Sequence, residues 1–321
     1  MTALWIVFGI VLFLIAAAAV AAYICYRIAF YSPARKPGEQ TAFELPTGSV
    51  YEPFLDQMKQ WSAETKALPQ ERFTITSFDG LKLTGTYYEY APGAPIELMM
   101  HGYRGTAQRD LSGGVQRCFQ LGRSALLVDQ RGSCTSEGKT ITFGIREHRD
   151  CLRWVDFMIH HFGSDVKIIL TGISMGASTV LMAAGTPLPP NVIGVLADCG
   201  YTTAKDIIRI VIKMIGLPVG LCYPFVKLGA RLYGGFKLEE YSALEAMKNC
   251  KVPVIFYHGE ADDFVPMEMS KRNYEACVSR KQLVIIPGAG HGLSFPVNPE
   301  MYYSTLKDFF GPEGSYQAPQ N

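Results

Sequence analysis

The sequence carries almost no imbalance of charge: 30 Lys and Arg stand against 29 Asp and Glu, a net charge of +1. Binding to nucleic acid rests on a concentrated basic surface, so no nucleic-acid partner is expected. Paired cysteines are lacking as well. The eight cysteines stand singly at Cys25, Cys118, Cys134, Cys151, Cys199, Cys222, Cys250 and Cys277, with no C-x-x-C and no metal-ligand spacing. That scatter reads as reduced packing thiols in a cytosolic domain, although an even count permits disulfides if the domain faces outward. There is no internal repeat.

The most local absence is of charge at the front of the chain, where Ala3 to Tyr26 contains no Asp, Glu, Lys or Arg. About 20 apolar residues suffice to cross a bilayer as a helix, so a membrane anchor is expected over residues 1–31. A secretory signal peptide is the rival, because Ala16 to Ala22 offers small residues for cleavage. No Lys or Arg precedes the run, however, and the run is longer than a usual signal core. Arg27, Arg35 and Lys36 follow it, and positive charge on that side predicts a single-pass membrane protein with a cytoplasmic C-terminal domain.

What is present is organised around Val166 to Thr179, an apolar strand, the turn Gly172-Ile173-Ser174-Met175-Gly176 and the start of a helix. A serine hydroxyl is a weak nucleophile at neutral pH and needs an adjacent base and an exposed position. G-x-S-x-G supplies the position, since the glycines leave room for a sharp strand-to-helix turn that aims free helix N–H groups at developing negative charge. Downstream, the apolar run Val252 to Tyr257 ends at His258-Gly259-Glu260-Ala261-Asp262-Asp263-Phe264-Val265-Pro266, and the run Gln282 to Ile286 ends at Gly288-Ala289-Gly290-His291-Gly292. A carboxylate past one strand can orient an imidazole past the next, and the imidazole can take the serine proton. Asp262 is preferred to Asp263 because the acid stands three residues before valine in D-x-x-V-P. Asp198, after the strand Val192 to Ala197, is a rival acid. His291 is the expected base; His101 and His258 are read as turn-shaping residues. Adjacent His160 and His161 cannot share one helix face, so no metal site is expected there. Acyl transfer also needs preorganised donors for an oxyanion. The turn His101-Gly102-Tyr103 and the start of the helix after Ser174 point to the backbone N–H groups of Tyr103 and Met175.

Taken together, His101-Gly102-Tyr103, Asp129-Gln130-Arg131-Gly132 with Ser136-Glu137-Gly138, Gly172 to Gly176, Asp262 to Pro266 and Gly290-His291-Gly292 resemble the α/β-hydrolase superfamily, in particular its bacterial esterase, lysophospholipase and serine-aminopeptidase-like branch. The resemblance covers Arg72 to Phe310. It departs at Ser133-Cys134-Thr135, where relatives commonly carry His-Gly. It implies a serine hydrolase with a covalent acyl-enzyme, needing no metal or organic cofactor. The motifs are specific for fold and catalytic machinery and not for substrate; the expected substrate is a small-molecule ester or a lipid-like molecule. A peptidase, an amidase or an acyltransferase would use the same triad, and a catalytically inactive membrane-attached binding module is the reading from another class.

Strands and helices alternate from Pro95 onward, which argues for a mostly parallel sheet covered by helices on both faces. The expected fold is therefore an α/β-hydrolase fold with a small helical cap insertion and an N-terminal transmembrane helix. Residues 32–50 are Pro- and Gly-containing and read as a tether, residues 51–311 as the hydrolase domain, and residues 312–321 as a flexible tail. Within the domain, Arg72–Ser77 and Leu81–Tyr90 flank Phe78-Asp79-Gly80 as a hairpin. Glu52 to Leu68 has the spacing of an amphipathic helix laid on the domain. The cap, about 202–236, is rich in apolar residues, with breaks expected at Gly216-Leu217-Pro218 and Tyr223-Pro224. It is expected to overhang the site and to favour an apolar acyl or aromatic acid group. Core packing and a membrane contact are the other uses of such a surface.

Overall fold

The computed structural model of the chain describes residues 1–32 and 45–317. Most of the expected tether, including Pro33, Pro37 and Gly38, lies outside the described residues, as do residues 318–321 of the tail. Eleven helices and eight strands follow one another among the described residues, the strands forming a single sheet.

The sheet opens with β1 (Glu71–Thr76) and β2 (Lys82–Tyr88), an antiparallel hairpin closed at Phe78-Asp79-Gly80. After it come β3 (Ile96–Met100), β4 (Ser124–Val128), β5 (Ile168–Ile173), β6 (Val192–Asp198), β7 (Val254–Gly259) and β8 (Lys281–Ile286), in the spatial order β1-β2-β4-β3-β5-β6-β7-β8. Only β1–β2 and β2–β4 pair antiparallel. The parallel strands β3 to β7 are buried almost throughout, as strands with helices on both faces must be. One apolar layer contains Trp154 and Val155 of α4 (Glu147–Phe162) and Val180 of α5 (Met175–Ala184); the opposite one contains Leu111 and Val115 of α3 (Ala107–Gln120) beside Tyr302 and Leu306 of α11 (Pro299–Phe310).

Glu97, the second residue of β3, interrupts this apolar pattern. It is fully buried, accepts bonds from Arg123 at 2.7 Å and Thr171 Oγ1 at 2.8 Å, and also pairs with Arg117. A charge in a dry interior persists only when it is paired and hydrogen-bonded. Arg123 also donates to the carbonyl of Gly314, and the Tyr316 N–H donates to Gly122 O at 2.9 Å. The start of the expected flexible tail is thus tied to the body through residue 316.

The N-terminal run forms one helix, α1 (Thr2–Ala29), with a mean hydropathy of 2.8 over its most apolar 18-residue window. Twenty-eight residues span about 42 Å as a helix, which makes α1 a candidate membrane span. Its two halves differ. Large side chains from Leu4 to Ile15 are exposed, whereas Ala22, Tyr26 and Phe30, spaced by four residues and so on one face, are buried. That face meets the cap, formed by α6 (Ala204–Met214) and α7 (Val219–Leu232). Close approach is set by Gly229: a Cβ there would lie 2.4 Å from Ala22 O. The chain breaks between the cap helices at 215–218 as expected, but Pro224 sits inside α7 without ending it. Its missing N–H costs one bond near the helix start, and Tyr223 and Val226 anchor the helix on either side of it.

Candidate functional site

Ser174 stands at the joint between β5 and α5 with φ 55° and ψ −116°, a backbone conformation a non-glycine residue holds only when its surroundings impose it. Those surroundings are backbone. A Cβ on Gly172 would lie 2.2 Å from Gly176 C, and one on Gly176 would lie 2.1 Å from Met100 O. Only glycine fits at both positions, so the turn is pressed against its neighbours with Ser174 at its apex.

His291 reaches this apex from the loop after β8. Its Nε2 lies 3.0 Å from Ser174 Oγ and its Nδ1 lies 2.8 Å from Asp262 Oδ2. The acceptor role of a carboxylate assigns the proton to Nδ1 and leaves the Nε2 lone pair facing the serine hydroxyl. The other carboxylate oxygen of Asp262 accepts the N–H groups of Phe264 at 3.0 Å and Val265 at 2.8 Å. Burial alone would push the Asp262 carboxyl up. Hydrogen bonds from His258 and His291, and the charge of His291, outweigh it and hold the group well below the ordinary carboxylate range.

The rival acid is otherwise engaged. Asp198 accepts Ser294 Oγ at 2.7 Å and Tyr302 Oη at 3.1 Å, and burial pushes its carboxyl up. Three further residues support the site. His258, read as a turn residue, lies with Nε2 3.2 Å from Asp262 Oδ2 and 2.8 Å from Val265 O. Phe264 stands edge-on to His291 at 5.1 Å, and Tyr51 donates to His291 O at 3.0 Å from 240 residues away. D-x-x-V-P marked the neighbourhood of Phe264; nothing in sequence joins Tyr51 to His291.

Among the described residues, Cys199, Asp262 and His291 are the one group of side chains close enough to hold a metal ion, their ligand atoms lying within 4.8 Å of one another. The set is poor for that purpose. Both His291 nitrogens face hydrogen-bond partners, and burial beside Asp198 and Asp262 pushes the Cys199 thiol well up, away from the thiolate a metal requires.

The turn Gly102 to Gly105 passes beside the serine, a Cβ on Gly102 lying 3.7 Å from Ser174 Cβ. Gly102 N–H donates to Asp110 Oδ2 at 3.0 Å, and Gly105 O accepts Ser133 Oγ at 2.6 Å. Met175 opens α5, so its N–H belongs to the first turn of free donors. Behind the turn, the Asp129-Gln130-Arg131 motif is scaffold. Gln130 N–H donates to His101 Nε2 at 3.0 Å, and Arg131 clamps Asp79 of the hairpin at 2.9 Å and Asp150 of α4 at 2.6 Å.

A cavity of about 270 Å³ opens beside Ser174 and His291. Its walls include Met58 and Trp61 of α2 (Leu55–Ala67), Leu111 and Gly113 of α3, and Phe295. No residue of 202–236 lines it. The cap instead buries Ile207, Ile208 and Val226 against Tyr26, Phe30, Phe143 and Met175, while Met214, Ile215, Leu217, Leu221 and Leu232 stay exposed. The amphipathic helix expected at Glu52 to Leu68 is the element that walls the cavity, with Trp61 stacked on Phe295 at 5.2 Å.

No family model matches the chain. It is 28% identical over 192 residues to the uncharacterized protein YqkD of Bacillus subtilis, a match spanning 60% of this chain and 63% of that relative. In structure it resembles the esterase Pf2001 of Pyrococcus furiosus with a TM-score of 0.64 at 23% identity, covering 87% of this chain and 97% of that one. It also resembles the acylaminoacyl peptidase of Pyrococcus horikoshii with a TM-score of 0.55 at 18% identity, covering 81% and 44%. The chain has the α/β-hydrolase fold.

Proposed function

We propose that the protein is a membrane-tethered serine hydrolase that cleaves carboxylic esters with an apolar acyl group. The reading rests on one observation above the others, the unbroken hydrogen-bond chain from Asp262 through His291 to Ser174 on a strained turn. In the mechanism that follows, Ser174 Oγ attacks the ester carbonyl carbon while its proton passes to His291 Nε2. Asp262 holds the resulting imidazolium in place. The N–H groups of Tyr103 and Met175 stabilise the oxyanion. Collapse breaks the bond to the alkoxide, which leaves with the proton from His291, and water then releases the acid by the same steps. The cavity walled by α2 receives the acyl group, and Gly113 lets the Trp61 ring lie close against α3. In this reading α1 crosses the bilayer, and the positive charge of Arg27, Arg35 and Lys36 after its apolar run supports a cytoplasmic enzyme.

The test is labelling with a fluorophosphonate, which reacts with an activated serine, alongside hydrolysis of p-nitrophenyl esters. Ser174→Ala and His291→Ala should lose labelling, and Asp262→Asn should lower kcat about 10⁴-fold through the wrong imidazole tautomer. Asp198→Asn should cost far less. A folded wild type that does not label would refute the hydrolase reading. Amide turnover matching ester turnover in the same panel would replace esterase by peptidase or amidase.

A further inference from the structure

The turn that carries the Tyr103 N–H is gripped from two sides. On the inner side stand Asp110 at Gly102 N–H and Ser133 at Gly105 O. On the outer side the partner is α1. A helix leaves its last four carbonyls without intrahelical donors, and here two of them are capped by the side chains of consecutive turn residues. Tyr103 Oη donates to Ala29 O at 2.8 Å, and Arg104 donates to Ile28 O at 2.8 Å and to Tyr31 O at 3.1 Å. Cationic donors suit this end of a helix, where the dipole is negative.

Between these bonds the backbone of Arg104 takes φ 51°, a conformation costing on the order of 1–3 kcal/mol that persists only when the surroundings over-determine it. The end of α1 is itself immobilised. Phe30 is fully buried, Ile141 N–H donates to Phe30 O at 2.8 Å, and Ser32 N–H donates to Lys139 O at 2.9 Å. An aromatic path then leads back to the turn, with Phe30 at 5.8 Å from Phe143 and Phe143 at 5.2 Å from Tyr103. The turn is thus bolted to the last residues of the apolar helix.

We propose that Tyr103 and Arg104, through their side chains, are positioning residues that hold the oxyanion-stabilising amide in place by capping the C-terminus of α1, which makes the apolar helix a working part of the site as well as an anchor. The inference rests on the hydrolase reading above. A donor serves the transition state only when it points at the position the oxyanion will occupy, and small misplacements are costly. Arg104 is exposed, and exposed ion-type contacts add little to stability. Removing its bonds should therefore loosen the turn without unfolding the protein.

The test uses the full chain in detergent micelles, comparing wild type with Tyr103→Phe, Arg104→Gln and the double variant. Each keeps the backbone N–H. The double variant should lose about tenfold in kcat with KM within about twofold. Its Ki for an aryl trifluoromethyl ketone, whose bound hemiketal carries the oxyanion, should rise by the same factor. Arg104→Lys should recover part of the loss. Wild-type kcat and Ki in a folded double variant would overturn the proposal, as would a rise in KM alone. Should Tyr103→Phe unfold, Arg104→Gln at an exposed position still decides the matter. Fluorophosphonate labelling of wild type separates the two readings: without it the hydrolase reading falls and this one with it, whereas labelled wild type with an unaffected double variant sinks only this one.

Discussion

Two apolar regions flank Ser174, and they are built differently. On one side α1, α6, α7 and the Phe143 loop interlock, with Phe30 against Phe236 at 5.3 Å and against Phe143 at 5.8 Å, both rings close to perpendicular to it. On the other side α2 lies over α3, where Gly113 lets Trp61 and Gly114 lets Met99 approach the helix closely, and a cavity remains beside them. A Cβ on Gly113 would lie 2.6 Å from the Trp61 ring, and one on Gly114 would lie 2.2 Å from Met99 Cε. Two glycines inside a helix cost it about 1 kcal/mol each relative to alanine. Apolar composition alone therefore does not separate a packed face from one that leaves a cavity; the filled side holds α1, and the side under α2 keeps an open volume beside Ser174.

The comparison breaks most directly at Phe30. Removing a fully buried aromatic ring costs about 3–5 kcal/mol, so Phe30→Ala should lower the unfolding midpoint of the full chain sharply, whereas Trp61→Ala, at a partly exposed position, should lower it much less. Equal losses would mean that both sides are packing surfaces. Beneath the cavity side, the buried charges offer a second test. Burial would push the Glu97 carboxyl up, but Arg117 and Arg123 outweigh it and hold the group at about 2, against an ordinary 4.5. A lowered folded-state value stabilises fully above the ordinary value and is lost as pH falls from there toward the folded one. Stability measured by urea unfolding should accordingly decline between about pH 4.5 and 2 in wild type. Glu97→Gln, which leaves two arginines unpaired, should cost about 3–5 kcal/mol at neutral pH. The smallest effect sharpens the use of the cavity. Met58→Trp should shorten the preferred acyl chain, lowering kcat/KM for octanoyl esters about tenfold while sparing acetyl esters, since lost apolar contact is worth about 0.8 kcal/mol per methylene. Unchanged chain-length preference would move the acyl group elsewhere.

Much of the fold was legible because its signals are local. Largely apolar runs of five or six residues leading into glycine-containing turns marked β3, β7 and β8, and Phe78-Asp79-Gly80 marked the hairpin. Ser174, Asp262 and His291 were legible because each stands just past a strand, and parallel strands bring such ends to one edge of a sheet. Other features left no local trace. A uniformly apolar helix does not reveal which of its faces is buried, so the docking of Ala22, Tyr26 and Phe30 on the cap was not visible. The break expected at Tyr223-Pro224 does not occur, because propensity ignores the contacts that hold α7. The apolar composition of the cap suits an acyl pocket, yet the cavity beside Ser174 is lined by Met58 and Trp61 of α2 and by no residue of 202–236.

By itself the sequence determined the order of strands and helices, the sharp turn at Ser174 and the long uncharged helix at the front. Each depends on neighbours a few residues apart, through hydrophobic period, glycine sterics and the solubility of a charge-free run. The tertiary structure alone decided that Tyr51 meets His291, that Glu97 is neutralised by arginines 20 and 26 residues away, and that the end of α1 caps against Tyr103 and Arg104. These contacts join segments with no common pattern, because burial and hydrogen-bond satisfaction are settled over the whole packed chain.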